Sequence, residues 1–355
     1  MAIPMRRSLC SNDERYFLND EVRRVLQASL GILVLMTGVA AADTAGSSDV
    51  SHQSLDDAWW TGPILAASAS TLPQGHFLVE PYVYDVIAYD RFDADGRRRS
   101  TSRTDSFGSL TYVLYGLTDE LTIGAIPTFG FNETSQGQDS SGIGWGDLTV
   151  QAQYRLTKFR EGGWLPTTSL VLQETLPTGK HDRLGTRTSD GFGGGAYTTT
   201  VAAYSQYYFW LPNGRILRTR LNVSKSFSDD ARIEEVSVYG TQPGFRGRAS
   251  PGDSLAVNSS WEYSLTQNWV WALDVFYQHG NKTRVSGYDS QSVDGDLQRV
   301  AVEQDFDSSR RFGVAPAIEY NWSGTVGVIV GARWIAAGRN ADATITPVAA
   351  INLVY

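Results

Sequence analysis

An all-β chain closed into a transmembrane antiparallel up-and-down β-barrel of about twelve strands is the fold this sequence predicts. Three observations predict it: an alternating apolar and polar period from Gly75 to the end, connections that alternate between short and long, and an N-terminal apolar run with the flanks of an export signal.

The N-terminal run comes first. Arg23 and Arg24 precede an uncharged stretch from Val25 to Ala42 that holds Leu30, Ile32, Leu33, Val34, Leu35 and Met36, and Ala40, Ala41 and Ala42 offer the small side chains a signal peptidase requires. Residues 1–42 therefore read as a signal peptide with a long N-region. Its strongly apolar core is about a dozen residues, too short for a membrane-spanning helix. Cys10, the only cysteine, lies upstream of that core, so it is not a lipoprotein cleavage cysteine and the mature chain has none. Cleavage leaves 25 basic against 34 acidic groups. An acidic balance excludes a general binder of nucleic acid or anionic surfaces, either of which wants a basic excess. With 35 Gly, 10 Trp and 17 Tyr among 355 residues, and 19% charged, the chain is rich in strand and turn formers without being greasy overall.

Residues 43–74, with Trp59, Trp60 and several Ser and Ala, precede the first strand and read as a periplasmic leader or a plug that enters the lumen. The barrel spans 75–355. Strands are expected at 76–90, 105–117, 119–131, 144–157, 166–177, 196–210, 215–228, 254–265, 267–279, 309–322, 325–337 and 343–355. Each is long enough to cross a membrane at a tilt, which takes about 9–11 residues. Short turns at 117–119, 158–165, 211–214, 265–267 and 322–324 alternate with loops at 91–104, 132–143, 178–195, 228–253 and 280–308. A last short loop lies near Arg339 and Asn340. Outer-membrane barrels have short periplasmic turns and longer external loops, and strict alternation with both ends on one side requires an even strand count.

Individual faces follow from the period of two. In the last strand Ile345, Pro347, Ala349, Ile351, Leu353 and Tyr355 share the lipid face and Thr344, Thr346 and Asn352 the other. An aromatic terminus preceded by alternating apolar residues is what outer-membrane assembly machinery reads, so Tyr355, Leu353 and Ile351 form the expected assembly signal. Trp269, Trp271, Leu273, Val275 and Tyr277 face lipid while Asp274 and Gln278 face inward. Trp210, Trp269, Trp271, Trp322 and Trp334 sit near strand ends, as an aromatic girdle requires. Leu110 to Tyr115 and Leu170 to Leu176 are apolar on both faces, so alternation leaves the facing of 105–117 and 166–177 open.

Several stretches resemble one bacterial family, the outer-membrane transporters described as the MetA-pathway of phenol degradation. They are SASTLPQGHFLVEPY from Ser68, YGLTDELTIGAIPTFGFN from Tyr115, GIGWGDLTVQAQYRL from Gly142 and LVLQETLPTGKHDRLG from Leu170. WLPNGRILRTRLN from Trp210, EYSLTQNWVWALDVFYQHG from Glu262 and RRFGVAPAIEYNWSGTVGVIVGARW from Arg310 complete the set. The resemblance covers nearly the whole mature chain and implies an outer-membrane channel or transporter linked to catabolism of phenols. It supplies no ligand residues.

Charges on a membrane strand are tolerated on the lumen face. Alternation points Glu80, Asp147, Arg155, Arg218, Arg220, Glu262, Asp274, Arg311, Glu319 and Arg333 inward. Two readings stand: pairing across a narrow, mostly filled interior, or a ladder that selects a substrate by charge, with Arg218 and Arg220 as the selectivity pair. Tyr82, Tyr84, Tyr204, Gln206 and Tyr208 line the same space, either as filling or as faces for a flat apolar substrate.

Enzyme signatures are poor, and the expectation is a chain that is not an enzyme and carries no cofactor. His52, His76, His181 and His279 are too scattered for a metal motif. His181 with Asp182 and Asp190 is the one conceivable rim constellation for an outer-membrane hydrolase. Asp93, Ala94, Asp95 and Gly96 look like a fragment of a calcium loop but read better as a turn. The glycine runs at 142–146 and 191–195 precede no helix and are not phosphate loops. The leading expectation is a channel or transporter for small, largely apolar or aromatic molecules, whose partners are outer-membrane lipid and the assembly machinery. A structural or adhesive barrel acting through its external loops is the alternative.

Overall fold

The computed structural model describes residues 52–293 and 296–355. The expected signal peptide, Cys10 and the first part of the leader lie outside the described residues. Eighteen strands are β1 (Phe77–Phe92), β2 (Arg98–Gly116), β3 (Leu121–Ile126), β4 (Thr128–Thr134), β5 (Gly144–Trp145), β6 (Leu148–Thr157), β7 (Thr167–Leu176), β8 (Thr198–Trp210), β9 (Ile216–Ser228), β10 (Ala231–Glu234), β11 (Arg246–Ser250), β12 (Ser254–Ser264), β13 (Trp269–Gly280), β14 (Thr283–Val293), β15 (Asp296–Phe306), β16 (Ser309–Asn321), β17 (Val326–Arg339) and β18 (Ala341–Val354). Two 3-10 turns, Leu55–Asp57 and Thr188–Asp190, are the helical elements among them. No helix of the described residues is long and apolar enough to cross a membrane, which says nothing about crossing with strands.

Fourteen of the strands form one antiparallel sheet that closes on itself, because β1 bonds both to β2 and to β18. Two of the twelve walls are broken. Pro127 has no N–H to donate and separates β3 from β4, and Gly146 with Asp147 separates β5 from β6. Counting each broken pair once gives the twelve staves the alternation predicts. The ends of the ring meet where Phe77 and Tyr355 exchange backbone hydrogen bonds of 3.0 and 2.8 Å. Ile351 pairs with Val328, Leu353 with Val79, and Ile351 and Tyr355 are exposed on the outer surface.

The turns at 117–120, 158–166, 211–215, 265–268 and 322–325 all lie at the end of the ring that holds Phe77 and Tyr355. Aromatic pairs mark that rim: Phe77 with Tyr115 (4.6 Å between centroids), Tyr207 with Phe209 (4.8 Å), Trp269 with Tyr320 (4.7 Å) and Tyr320 with Trp322 (5.2 Å). Phe129 with Trp145 (4.3 Å) and Trp334 stand toward the opposite rim. Such rings are flat, amphipathic and suited to a lipid headgroup boundary. Trp210 departs from its expected place in the girdle. Its indole donates to the Gln53 carbonyl at 2.8 Å and stacks on His52 at 6.5 Å, so it holds the N-terminal stretch instead.

A second difference lies at the long-loop end. Stretches 228–253 and 280–308 are expected as loops, and they carry β10, β11, β14 and β15, which pair in that order as a separate four-stranded sheet. Ala231, Ile233, Phe245, Ala249 and Val285 bury a small core beneath it. Strands such as TRVSGYDSQSV alternate only weakly and carry Gly and Asp, so their period is submerged in loop composition.

Candidate functional site

The lumen is not empty, because residues 53–74 run into it from the short-turn end and return to that end. Gln53 N–H donates to the Gly214 carbonyl (2.9 Å) and Trp59 N–H to that of Gln267 (3.2 Å), while at the far side Gln74 N–H reaches Asp119 (3.0 Å). Between these anchors the stretch is extended and irregular, and it cannot satisfy its own backbone. Unpaired peptide groups at membrane depth are tolerated only where protein covers and bonds them. The inward side chains of the wall do so one by one. Glu319 accepts from Thr61 and Gly62 N–H at 2.7 and 3.1 Å, and Asp274 accepts from Leu65 and Ala66 N–H at 3.2 and 3.1 Å. Arg220 donates to the Ala66 carbonyl (2.7 Å), Asn222 to Ala67 (3.0 Å), and Gln153 to Ser68 (3.0 Å). Leu72 N–H ends on Thr122 (2.8 Å).

Shape follows the same logic. Gly62 has φ +117°, a conformation that disfavours side chains, and a Cβ there would stand 3.3 Å from the Arg220 guanidinium. On the wall, Gly327 and Gly331 face inward, and a Cβ on either would collide with Thr61 Oγ1 (2.1 Å) or Ile64 Cδ1 (2.7 Å). Ile64 then packs on an inward apolar belt of Tyr82, Ala272, Ala317, Ile329, Val348 and Ala350.

Each expected lumen residue can be placed. Arg218 and Glu262 form a buried two-pronged ion pair, with Nε–Oε2 at 2.7 Å, and Arg220 Nε lies 3.1 Å from the same carboxylate. The Arg218 guanidinium also covers the Trp60 ring at 4.3 Å. Asp274 and Glu319 carry the N-terminal stretch, as described. Glu80 accepts from Asn352 at 3.1 Å. Toward the long loops Arg333 donates to Gln278 (3.1 Å) over the Phe276 ring (4.6 Å), with Arg311 nearby on β16. Arg155 lies toward the short turns, 3.7 Å from Glu120. Asp147 stands at the break between β5 and β6, where it accepts from Gly179 and Gly194 N–H (2.9 and 2.7 Å) and so holds loop 178–195.

That loop also enters the barrel. Gly108, Gly130 and Gly144 are paired neighbours on one face of β2, β4 and β5. A Cβ on Gly108 would strike the Tyr84 ring (2.3 Å) and one on Gly144 the Phe192 ring (2.1 Å). Tyr84 packs on the inward belt, so Phe192 of the loop is on the lumen side too. The rim residues each meet backbone groups and not one another: His181 Nε2 lies 3.1 Å from the Arg232 carbonyl, Asp182 accepts from Glu234 N–H (2.9 Å) and Asp190 from Ser141 N–H (2.7 Å). Donation from Ser141 holds the Asp190 carboxyl below its ordinary range. Asp93 accepts from Asp95 and Arg97 N–H (3.0 and 2.8 Å), which is a hairpin turn.

Beside the N-terminal stretch a cavity of about 240 Å³ remains, between Ile64, Tyr82, Tyr112, Tyr204, Glu80 and Arg220. A second, of about 200 Å³, lies toward the short turns around Arg155, Phe159 and Tyr208, and Trp60 and Ser70 border both. Thr122, Ser169, Asn222 and Asn321 are lumen residues that inspection for charge passes over. Their inward parity on strands whose other face is apolar toward the short-turn end is the signal that marks them.

The placement of Asp274 has a direct test. A cysteine there lies under Leu65 and Ala66, so a charged maleimide should modify it at least about tenfold more slowly than once residues 60–71 are deleted, as exposure controls thiol chemistry. A cysteine at Leu273, on the opposite face, should stay shielded from the reagent in lipid in both proteins. Equal rates at 274 with and without the stretch would contradict this packing.

No family model and no curated protein matches the chain. Among solved structures, the COG4313 outer membrane channel from Pseudomonas putida F1 is similar with a TM-score of 0.63 and 16% identity, over 82% of this chain and all of that one. The toluene transporters TodX of Pseudomonas putida and TbuX of Ralstonia pickettii match at a TM-score of 0.34, with 12% and 10% identity. They cover 87% and 79% of this chain and 96% and 90% of their own, and at that distance they carry no argument. The chain accordingly has the fold of an outer-membrane β-barrel, closed by twelve antiparallel strands.

Proposed function

We propose that this protein is an outer-membrane channel of a Gram-negative bacterium, exported through a cleaved signal peptide, that passes small, largely apolar or aromatic molecules. Residues 53–74 act as its plug. The observation that carries the reading is the pair of cavities flanking the re-entrant stretch, both bordered by Trp60 and Ser70 and lined by aromatic and aliphatic side chains, with charged groups of both signs, Glu80, Arg155, Lys158, Arg218 and Arg220, among them. Such a lining suits a flat apolar solute, whereas a one-signed ladder would suit an ion or a sugar acid. The link to phenol catabolism comes from the sequence resemblance alone.

A barrel of this size, largely filled, should show weak ion currents. Liposomes carrying the purified protein should admit a neutral aromatic glycoside, to which the bilayer itself is poorly permeable, several-fold faster than liposomes carrying a heat-denatured sample. Entry no faster than that control would remove the channel reading and leave a structural or adhesive barrel acting through its long loops.

A further inference from the structure

Toward the long loops the lumen holds positive charge that the wall does not balance. Parity puts Gln278 of β13, Arg311 of β16 and Arg333 of β17 on the inward face, and Gln278 stands directly opposite Arg311 in the sheet register. Arg333 Nη2 donates to Gln278 Oε1 at 3.1 Å while its guanidinium covers the Phe276 ring at 4.6 Å, so both arginines converge on one amide. Among the described residues no carboxylate pairs with either, and Arg311 makes no hydrogen bond. The Nε of each is shut from solvent without an acceptor, yet both side chains are only half-buried and can be reached from the lumen. Asp274, further along the inward face of β13, is spent on Leu65 and Ala66 N–H. Beside the arginines Phe92, Phe276, Ile335 and Ala343 form a buried apolar cluster, on which Leu65 of the N-terminal stretch packs.

Two cations held side by side in a half-dry site repel each other, and an anion shared between them removes that cost. A guanidinium is planar and presents its N–H donors in a fork that matches the two oxygens of a carboxylate. We infer that Arg311 and Arg333, aligned by Gln278, form a binding site for the carboxylate of a small organic acid whose apolar body lies toward the cluster of Phe276, Ile335 and Leu65. The inference rests on the channel reading for access from outside, and it narrows the solute class to apolar acids with a single anionic head. A neutral molecule of the same shape leaves both guanidinium groups unpaired, and an ammonium is repelled by them. Because Leu65 belongs to the stretch that fills the lumen, an acid seated here rests on the long-loop side of the obstruction.

The test uses the whole mature protein in nanodiscs of zwitterionic lipid, titrated with benzoate, benzyl alcohol, benzylammonium and acetate and followed by ligand-observed saturation-transfer NMR. Empty nanodiscs serve as the partition control. Benzoate should bind about tenfold or more tighter than each of the other probes, as expected for a charge-assisted contact beside an apolar wall. Arg311→Gln and Arg333→Gln should each weaken benzoate by about tenfold and leave benzyl alcohol within about twofold of its original affinity. Heat-modifiable gel mobility checks that both variants fold. Should either fail, the lysine replacement at that position takes its place, with a several-fold loss expected because the charge stays and the fork goes. Benzyl alcohol, benzylammonium or acetate binding as tightly as benzoate would overturn the inference, as would a benzoate affinity unchanged in either folded variant. Binding and passage are separable: benzoate binding without glycoside entry into liposomes keeps the site and removes the channel, and glycoside entry without benzoate preference does the reverse.

Discussion

Deleting residues 60–71 is expected to raise ion conductance in planar bilayers by about an order of magnitude, because a twelve-stranded ring lies between the filled eight-stranded barrels and the open porins and only its contents keep it narrow. The wall should survive the deletion. Every stave bonds to two neighbours, and the deleted stretch contributes none of those bonds. What changes is the set of inward groups it occupies: Asp274, Glu319, Asn222 and Gln153 lose peptide partners and acquire water instead. Unchanged conductance would show that the barrier lies elsewhere, and loop 178–195 with Phe192 in its glycine socket is the structure to examine next.

The second large effect concerns Glu262. Glu262→Gln should destabilise the barrel by about 3–5 kcal/mol, since it leaves two buried guanidinium groups beside each other with no carboxylate between them. Urea unfolding in lipid vesicles, followed by tryptophan fluorescence, measures it. Replacing Arg218, Arg220 and Glu262 together by methionine should cost far less, as burying an apolar triad avoids the desolvation of three charges and strands none of them. A Glu262→Gln loss under about 1 kcal/mol would mean that water reaches the arginines freely. Arg218→Ala with Arg220→Ala, the pair the alternation singles out for selectivity, strands Glu262 in the same way. It is therefore expected to weaken folding as well as change selectivity.

Much of this was legible in the chain because the barrel wall obeys one local rule. Period-two alternation depends only on which face a side chain takes, so all twelve staves and the short turns can be read without knowing what they enclose. Breaks are harder: Pro127 and Gly146 interrupt hydrogen bonding inside runs that still alternate. The four-stranded outer sheet was hidden because its strands are short or carry Gly, Ser and Asp among few apolar residues, and pair across stretches about forty residues apart, as Arg246 does with Tyr288. Within the lumen, parity gave the facing of Glu80, Arg218, Glu262 and Asp274 but not their partners. Whether Asp274 would meet another side chain, a solute or the peptide of Leu65 depends on a segment with no periodicity at all. Its one hint lay in the small residues Gly327 and Gly331, whose use appears only when Thr61 and Ile64 are set against them.

The N-terminal stretch is anchored at the same rim on both sides, by Gln53 and Trp59 at one and Gln74 at the other. Topologically it is a bight rather than a threaded cord. It can therefore be drawn out of the barrel by bending at its two feet, with no chain end passing through the ring and no stave parting from its neighbour. The same geometry lets β18 dock on β1 after the bight is laid, so enclosing it asks nothing of the assembly beyond the final seam between Phe77 and Tyr355. A force applied at the short-turn rim to residues near 52–59 would act on the obstruction alone and leave the wall under no load.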